Sequence, residues 1–116
     1  MPNVKIYVNH EVLEARKPEF LGVLDPLREA LMSELGAPKA LCHLSVMPMY
    51  GLSDQAKIVV DIHYLAKPDR TPEMVTAACH VFRDLLTNRL GLHPDIRAIA
   101  LASDIYVALR SEGSHD

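Results

Sequence analysis

The chain has no tryptophan, two phenylalanines and four tyrosines, so its core must be built mainly from aliphatic side chains. Cysteine is nearly absent. Cys42 and Cys79 stand alone without a CxxC spacing, which points to buried reduced thiols in a cytoplasmic protein rather than a disulfide framework. Cys42, His43 and His63 form no zinc-binding pattern by spacing, and no metal is expected. Only five glycines occur and none builds a phosphate loop, so no nucleotide cofactor is expected either. No apolar run approaches the ~18 residues of a membrane span. Charges interrupt every apolar stretch of the first thirty residues, which excludes a signal-peptide reading. Twelve basic and fifteen acidic residues are mixed along the chain for a net charge of −3, so no basic face is available for nucleic acid.

What is present is aliphatic and ordered. Apolar residues make up 49% of 116 positions, enough for one domain with a real core. Residues 3–8 alternate, with Val4, Ile6 and Val8 on one face and Asn3, Lys5 and Tyr7 on the other, which is the pattern of a half-buried strand. A polar stretch, "NHEVLEARKP", reads as a connector. Phe20, Leu24, Leu27, Leu31 and Leu35 then recur at helical spacing, and Gly36 suits a left-handed C-cap. Pro26 lies inside that pattern. Either the helix kinks there, or Asp25 caps a new start with Pro26 in its first turn. Residues 40–48 read as a strand.

The same order returns in the second half. Residues 57–65, "KIVVDIHYL", form a strand rich in β-branched residues. Thr71 is an N-cap with Pro72 and Glu73 in the first turn. Val75, Ala78, Cys79, Phe82, Leu85, Leu86 and Leu90 make the apolar stripe, and Gly91 ends it. Residues 95–109 read as one long or broken strand. "LGAPKALCHLSV" (35–46) matches "LGLHPDIRAIAL" (90–101) joint for joint, about 55 residues apart. The expectation is an α+β fold made by tandem β-α-β duplication, with pseudo-repeats at about 1–54 and 55–110 and a flexible tail at 111–116. Each crossover should be right-handed with its two strands parallel. Both helices should cover one face of a four-stranded mixed sheet. Val59 and Leu65 oppose Ile58, Val60 and Ile62, so both sheet faces look apolar, and a homo-oligomer is expected to bury the second one.

A proline at position 2 directly before a strand, two β-α-β units and a helix-ending Gly-x-Pro before the second strand together resemble the tautomerase superfamily. The likeness spans nearly the whole chain. The pattern is most similar to the 5-carboxymethyl-2-hydroxymuconate isomerase branch, through the proline within "VLDPLREAL", the helix start "PDRTPEM" and the strand "RAIALASDI". The resemblance implies a homotrimer with sites near subunit boundaries, a small-molecule substrate and a place in aromatic degradation. It also implies that Pro2, freed by loss of Met1, is the catalytic amine.

Moving a proton between an enol and a keto form needs a base that is neutral at working pH. A free α-amine titrates near ~8, and burial beside apolar groups disfavours its charged form. An N-terminal proline in an apolar pocket therefore becomes a rigid, usable base. The plain alternative is that Pro2 merely begins a strand. The family holds its substrate carboxylate with a second-strand arginine, and His43 stands at that position here. His43 either donates hydrogen bonds to an anion or is simply a strand histidine. Lys5, Arg97 and Tyr50 complete the candidate substrate-binding set; Arg97 matches an arginine of the isomerase branch, and Tyr50 closes the apolar Met47–Met49–Tyr50 stretch.

Two rival readings remain. A β-α-β-β-α-β order is also that of ferredoxin-like binding modules, which need no chemistry at Pro2. Superfamily relatives also use the proline to dehalogenate or decarboxylate small acids, and those reactions lean on arginines near it.

Overall fold

The computed structural model describes residues 2–111. Apart from Ser111, the expected tail lies outside the described residues. The elements run β1 (Asn3–Asn9), α1 (His10–Gly22), α2 (Leu24–Leu35), a 3-10 turn (Lys39–Leu41), β2 (His43–Met49), β3 (Ile58–Leu65), α3 (Pro72–Leu90) and β4 (Asp95–Leu101). The strands form one sheet in the order β2-β1-β3-β4. β1 and β2 are parallel, β3 and β4 are parallel, and β1 meets β3 antiparallel. This is the α+β, four-stranded mixed sheet expected from the repeat.

The alternation of β1 and β3 decides which way the sheet faces. Val4, Ile6, Val8, Ile58, Val60 and Ile62 are essentially inaccessible, and they pack against Phe20, Leu27 and Leu31 of the first crossover and Phe82 and Leu86 of the second. Burying apolar area of this kind is the main favourable term in folding. α3 starts as its sequence dictates: the Thr71 side chain accepts from the Met74 N–H (3.2 Å), and Pro72 opens the helix. Both expected glycine caps are left-handed, Gly36 at φ 63° and Gly91 at φ 70°.

Four features differ from the sequence reading. The "NHEVLEARKP" stretch is largely helix α1 rather than a connector, so the described residues hold three α-helices instead of two. Its apolar spacing is weak because it buries only Phe20, and polar contacts both local and distant hold it. The Asn9 side chain accepts from the Glu11 and Val12 N–H groups, and Arg16 bonds both Glu19 (2.7 and 3.0 Å) and the Leu90 carbonyl (2.9 Å). The backbone leaves helical geometry at Arg16, just ahead of Pro18, which has no N–H to donate.

Second, of the two readings of Pro26 the structure takes the new helix start with Pro26 in its first turn, but Asp25 is not its cap. Val23 occupies the cap position without a side-chain bond, and Asp25 instead pairs with Arg28 (3.0 Å). Third, the last strand stops at Leu101, and residues 102–111 add no strand. Fourth, the helix-free face is mixed rather than apolar. Val59 and Leu65 share it with Asn3, Lys5, Tyr7, Asp61 and His63, all partly exposed. The strand composition misled here because β-branched residues occupy both faces of β3 but not of β1. No helix among the described residues is long and apolar enough to cross a membrane.

Candidate active site

Pro2 is buried, immediately ahead of β1. Its carbonyl accepts the His43 N–H (3.2 Å), which extends the parallel β1–β2 ladder to the very start of the sheet. Strand alternation carries Pro2 to the side of Val4, the side covered by helices. The register then puts Cys42 beside it, just ahead of β2, and Tyr64 beside it on β3, one step beyond the Asn3–His43 and Asn3–His63 pairs.

Two arginines line clefts beside these two neighbours: Arg28 of α2 beside Cys42, and Arg70, in the loop that leads into α3, beside Tyr64. Arg70, the residue before the Thr71 cap, is only 9% exposed. Its Nη1 donates to the Leu65 carbonyl (3.1 Å), next to Tyr64. It has no carboxylate partner among the described residues. With Tyr64, Pro72, Val75 and Ala98 it lines a cleft of about 340 Å³. On the other side, Arg28 of α2 lines a cleft of about 220 Å³ with Asp25, Cys42 and Leu44. Burial pushes the Cys42 thiol up from its ordinary value, while positive charges that include Arg28 and Arg70 pull it back in part. A buried cation without a counter-charge is expensive, and an anionic ligand relieves that cost.

The other sequence candidates spread along the sheet. His43 is exposed and shares the helix-free face with Asn3, opposite to Pro2's side, although its backbone touches Pro2. Lys5 lies on that same face in a row with Ser45, Asp61 and Arg97. Arg97 closes the row through a two-pronged pair to Asp61 (2.9 and 3.2 Å). Tyr50 lies past the far end of β2, roughly 26 Å of strand from Pro2. It is 80% exposed and stacks on the His10 ring at 4.1 Å. A single chain therefore gathers Pro2 and the His43 backbone at one end, and leaves Lys5, Arg97 and Tyr50 progressively further away.

Arg70 and Arg28 were absent from the candidate set. Arg70 was present in "PDRTPEM" but read only as part of a helix start, and nothing in that spacing tells a buried arginine from a solvated one. No group of three metal-ligating side chains comes together among the described residues.

No protein-family model matches the chain, and no curated protein matches its sequence. Solved structures do match its shape. A member of the cis-3-chloroacrylic acid dehalogenase family aligns with a TM-score of 0.71 at 14% identity, over 91% of this chain and 79% of that one. A fused 4-OT wild-type asymmetric trimer aligns with a TM-score of 0.69 at 14% identity, over 91% of each chain. The macrophage migration inhibitory factor-like protein of Entamoeba histolytica aligns with a TM-score of 0.68 at 15% identity, over 95% and 96%. These belong to the tautomerase superfamily. The chain has the tautomerase fold. At such identities the likeness establishes the architecture, and the chemistry must be argued from the Pro2 corner itself.

Proposed function

We propose that this chain is a proline-dependent tautomerase that moves a proton on a small enol or unsaturated keto acid, and that it works as a homotrimer. One observation carries the reading: Pro2 is buried at the tip of a central strand, next in register to Tyr64, which lines a cleft with Arg70, a buried arginine without a carboxylate partner among the described residues. Once Met1 is removed, Pro2 offers a secondary amine. Burial and the neighbouring positive charge both disfavour its ammonium form, which keeps the lone pair available. Arg70 holds the substrate carboxylate. The amine takes a proton from the enol oxygen or the carbon next to the carbonyl, and returns it at the other end of the conjugated system. In this reading Lys5, His43, Arg97 and Tyr50 act as substrate-binding groups across subunit boundaries. The homotrimer is supported by the trimeric 4-OT structure with the same fold.

Arg70 also favours a second reaction class. A dehalogenase or decarboxylase of small acids needs an arginine near the proline, and structures titled as dehalogenase-family and malonate semialdehyde decarboxylase proteins share the fold. The test is direct. Intact mass first establishes loss of Met1. The processed protein is then assayed for ketonisation of phenylenolpyruvate, for chloride release from 3-chloroacrylate and for carbon dioxide release from malonate semialdehyde. Pro2→Ala should lower the active reaction by at least about 100-fold, in line with the contribution of a positioned base. Arg70→Gln should raise KM for acids far more than for the corresponding esters. Turnover unchanged in Pro2→Ala would defeat the mechanism, and absence of all three activities in the processed protein would favour a non-catalytic binding module.

A further inference from the structure

The two central strands turn aliphatic side chains to the helices almost everywhere. On β1 that side carries Val4, Ile6 and Val8, and on β3 it carries Ile58, Val60 and Ile62, all essentially inaccessible. At one end the pattern changes. The next step of the alternation brings Pro2 and Tyr64, which stand opposite each other across the antiparallel pair. Residues so placed hold their Cβ atoms about 4.5–5.5 Å apart. Tyr64 is thus the one side chain with a polar tip that β1 or β3 turns to the helix side.

The ring of Tyr64 packs against the core while the residue stays partly exposed. Its hydroxyl has no hydrogen-bond partner among the described residues. The cleft of about 340 Å³ opens beside it, with apolar walls at Pro72, Val75 and Ala98, and Arg70 lines the same cleft. Arg70 is moored by Nη1 to the Leu65 carbonyl, one residue on from Tyr64, so its charge stays at this end of β3. A tyrosine that only sealed the core would need its ring and not its hydroxyl.

The chemistry at Pro2 supplies a use for that hydroxyl. When the amine takes a proton from the enol oxygen or from the carbon beside the carbonyl, the electron pair left behind spreads over carbon and oxygen as an enolate. Negative charge builds on the oxygen, and a fixed donor in a cleft with apolar walls stabilises it better than mobile water does. The substrate carboxylate occupies Arg70, which leaves Tyr64 as the donor that faces Pro2.

We propose that Tyr64 is a catalytic residue, whose hydroxyl donates a hydrogen bond to the enolate oxygen formed when Pro2 acts as base. Tyr64 keeps its own proton. The proton that moves passes from the substrate to the Pro2 amine, and from the resulting ammonium back to the other end of the conjugated system, so atoms and charge balance. The proposal rests on the proline-dependent tautomerase reading and adds the group that stabilises its intermediate.

Tyr64→Phe in the chain that has lost Met1 tests it, with phenylenolpyruvate as substrate. Its kcat should fall about 10²–10³-fold, the cost of one oxyanion donor, while KM changes by less than about threefold. Phenylalanine keeps the ring and its packing, so the fold should persist, which circular dichroism checks. Binding then separates this role from a merely structural one. Oxalate mimics an enolate oxygen beside a carboxylate, and its affinity should drop at least about tenfold in Tyr64→Phe, as for a lost hydrogen bond to a charged group. Propionate has the carboxylate without that oxygen and should bind equally to both proteins. A kcat within about threefold of the unaltered chain overturns the proposal. So does a fall in kcat without a selective loss of oxalate, which would mark a disturbed cleft. Pro2→Ala keeps the two readings apart: if it removes turnover and Tyr64→Phe does not, the base stands and the role of Tyr64 fails. A processed chain that does not ketonise the enol, or does so equally well as Pro2→Ala, overturns both together.

Discussion

The two β-α-β units reach the same topology by different routes. The second crosses over in one step, with the nineteen-residue helix α3 capped by Thr71 at its start and Gly91 at its end. The first needs two helices, α1 and α2, divided near Gly22 and Val23, and α2 starts without any side-chain cap. The two routes also deliver different chemistry to one corner. The first unit brings the buried Pro2, and the second brings Arg70 from the loop that leads into α3. A repeated framework can thus carry different side chains at its joints while the shared pattern maintains the sheet.

The largest test of this comparison is core truncation. Phe20 and Phe82 are each fully buried, one per unit. Phe20→Ala and Phe82→Ala should each cost about 3–5 kcal/mol in urea unfolding. Costs that differ by more than about 2 kcal/mol would show that the units do not share one cooperative core.

The glycines give a smaller effect with opposite signs. Gly36 and Gly91 are left-handed, and an added Cβ would meet no atom at either, so only backbone strain is at issue. Each change to alanine should destabilise by about 1–2 kcal/mol. Gly22, at the end of α1, has ordinary helical geometry and equal room, so Gly22→Ala should stabilise by about 0.5–1 kcal/mol. A loss at Gly22 would mean that the break between α1 and α2 needs a glycine.

Capping comes next. Thr71→Ala and Asn9→Ala should each lower stability by about 1 kcal/mol, since each side chain accepts backbone N–H groups at a helix start. Equal losses would place α1, despite its kink, on the same footing as α3.

The smallest effect is a matter of pH. The hydrogen bond from Arg16 holds the Glu19 carboxyl below its ordinary value, with the Arg16 charge adding to it and burial opposing it. A lowered folded pKa means that this contribution is present above the unfolded value and disappears as pH falls through the folded one. The gap in melting temperature between the native chain and Glu19→Gln should therefore close on acidification. A gap that widens instead would assign α1's stability to something other than this pair.

How much of this was legible can be read from particular residues. β1, β3 and α3 followed from alternation and caps because their periodicity coincides with burial: Val4, Ile6 and Val8 face the core and are sealed by it. α1 was not legible, because it is held by the Asn9 cap and by Arg16 reaching the Leu90 carbonyl, 74 residues away. The helix-free face was misjudged because alternation in β3 alone cannot reveal that its neighbour β1 contributes Asn3, Lys5 and Tyr7 to the same surface.

The sequence by itself determined the number and order of strands, the pairing of each crossover, both glycine caps and the prominence of Pro2, because these depend on neighbours a few residues apart. Only the tertiary structure decided that Arg70 is buried in a cleft with Tyr64, the register neighbour of Pro2, that His43 faces away from Pro2 and that Tyr50 stands at the far end of the sheet. Those relations depend on strand register and on which face of each strand the helices cover, and both arise from packing between segments dozens of residues apart.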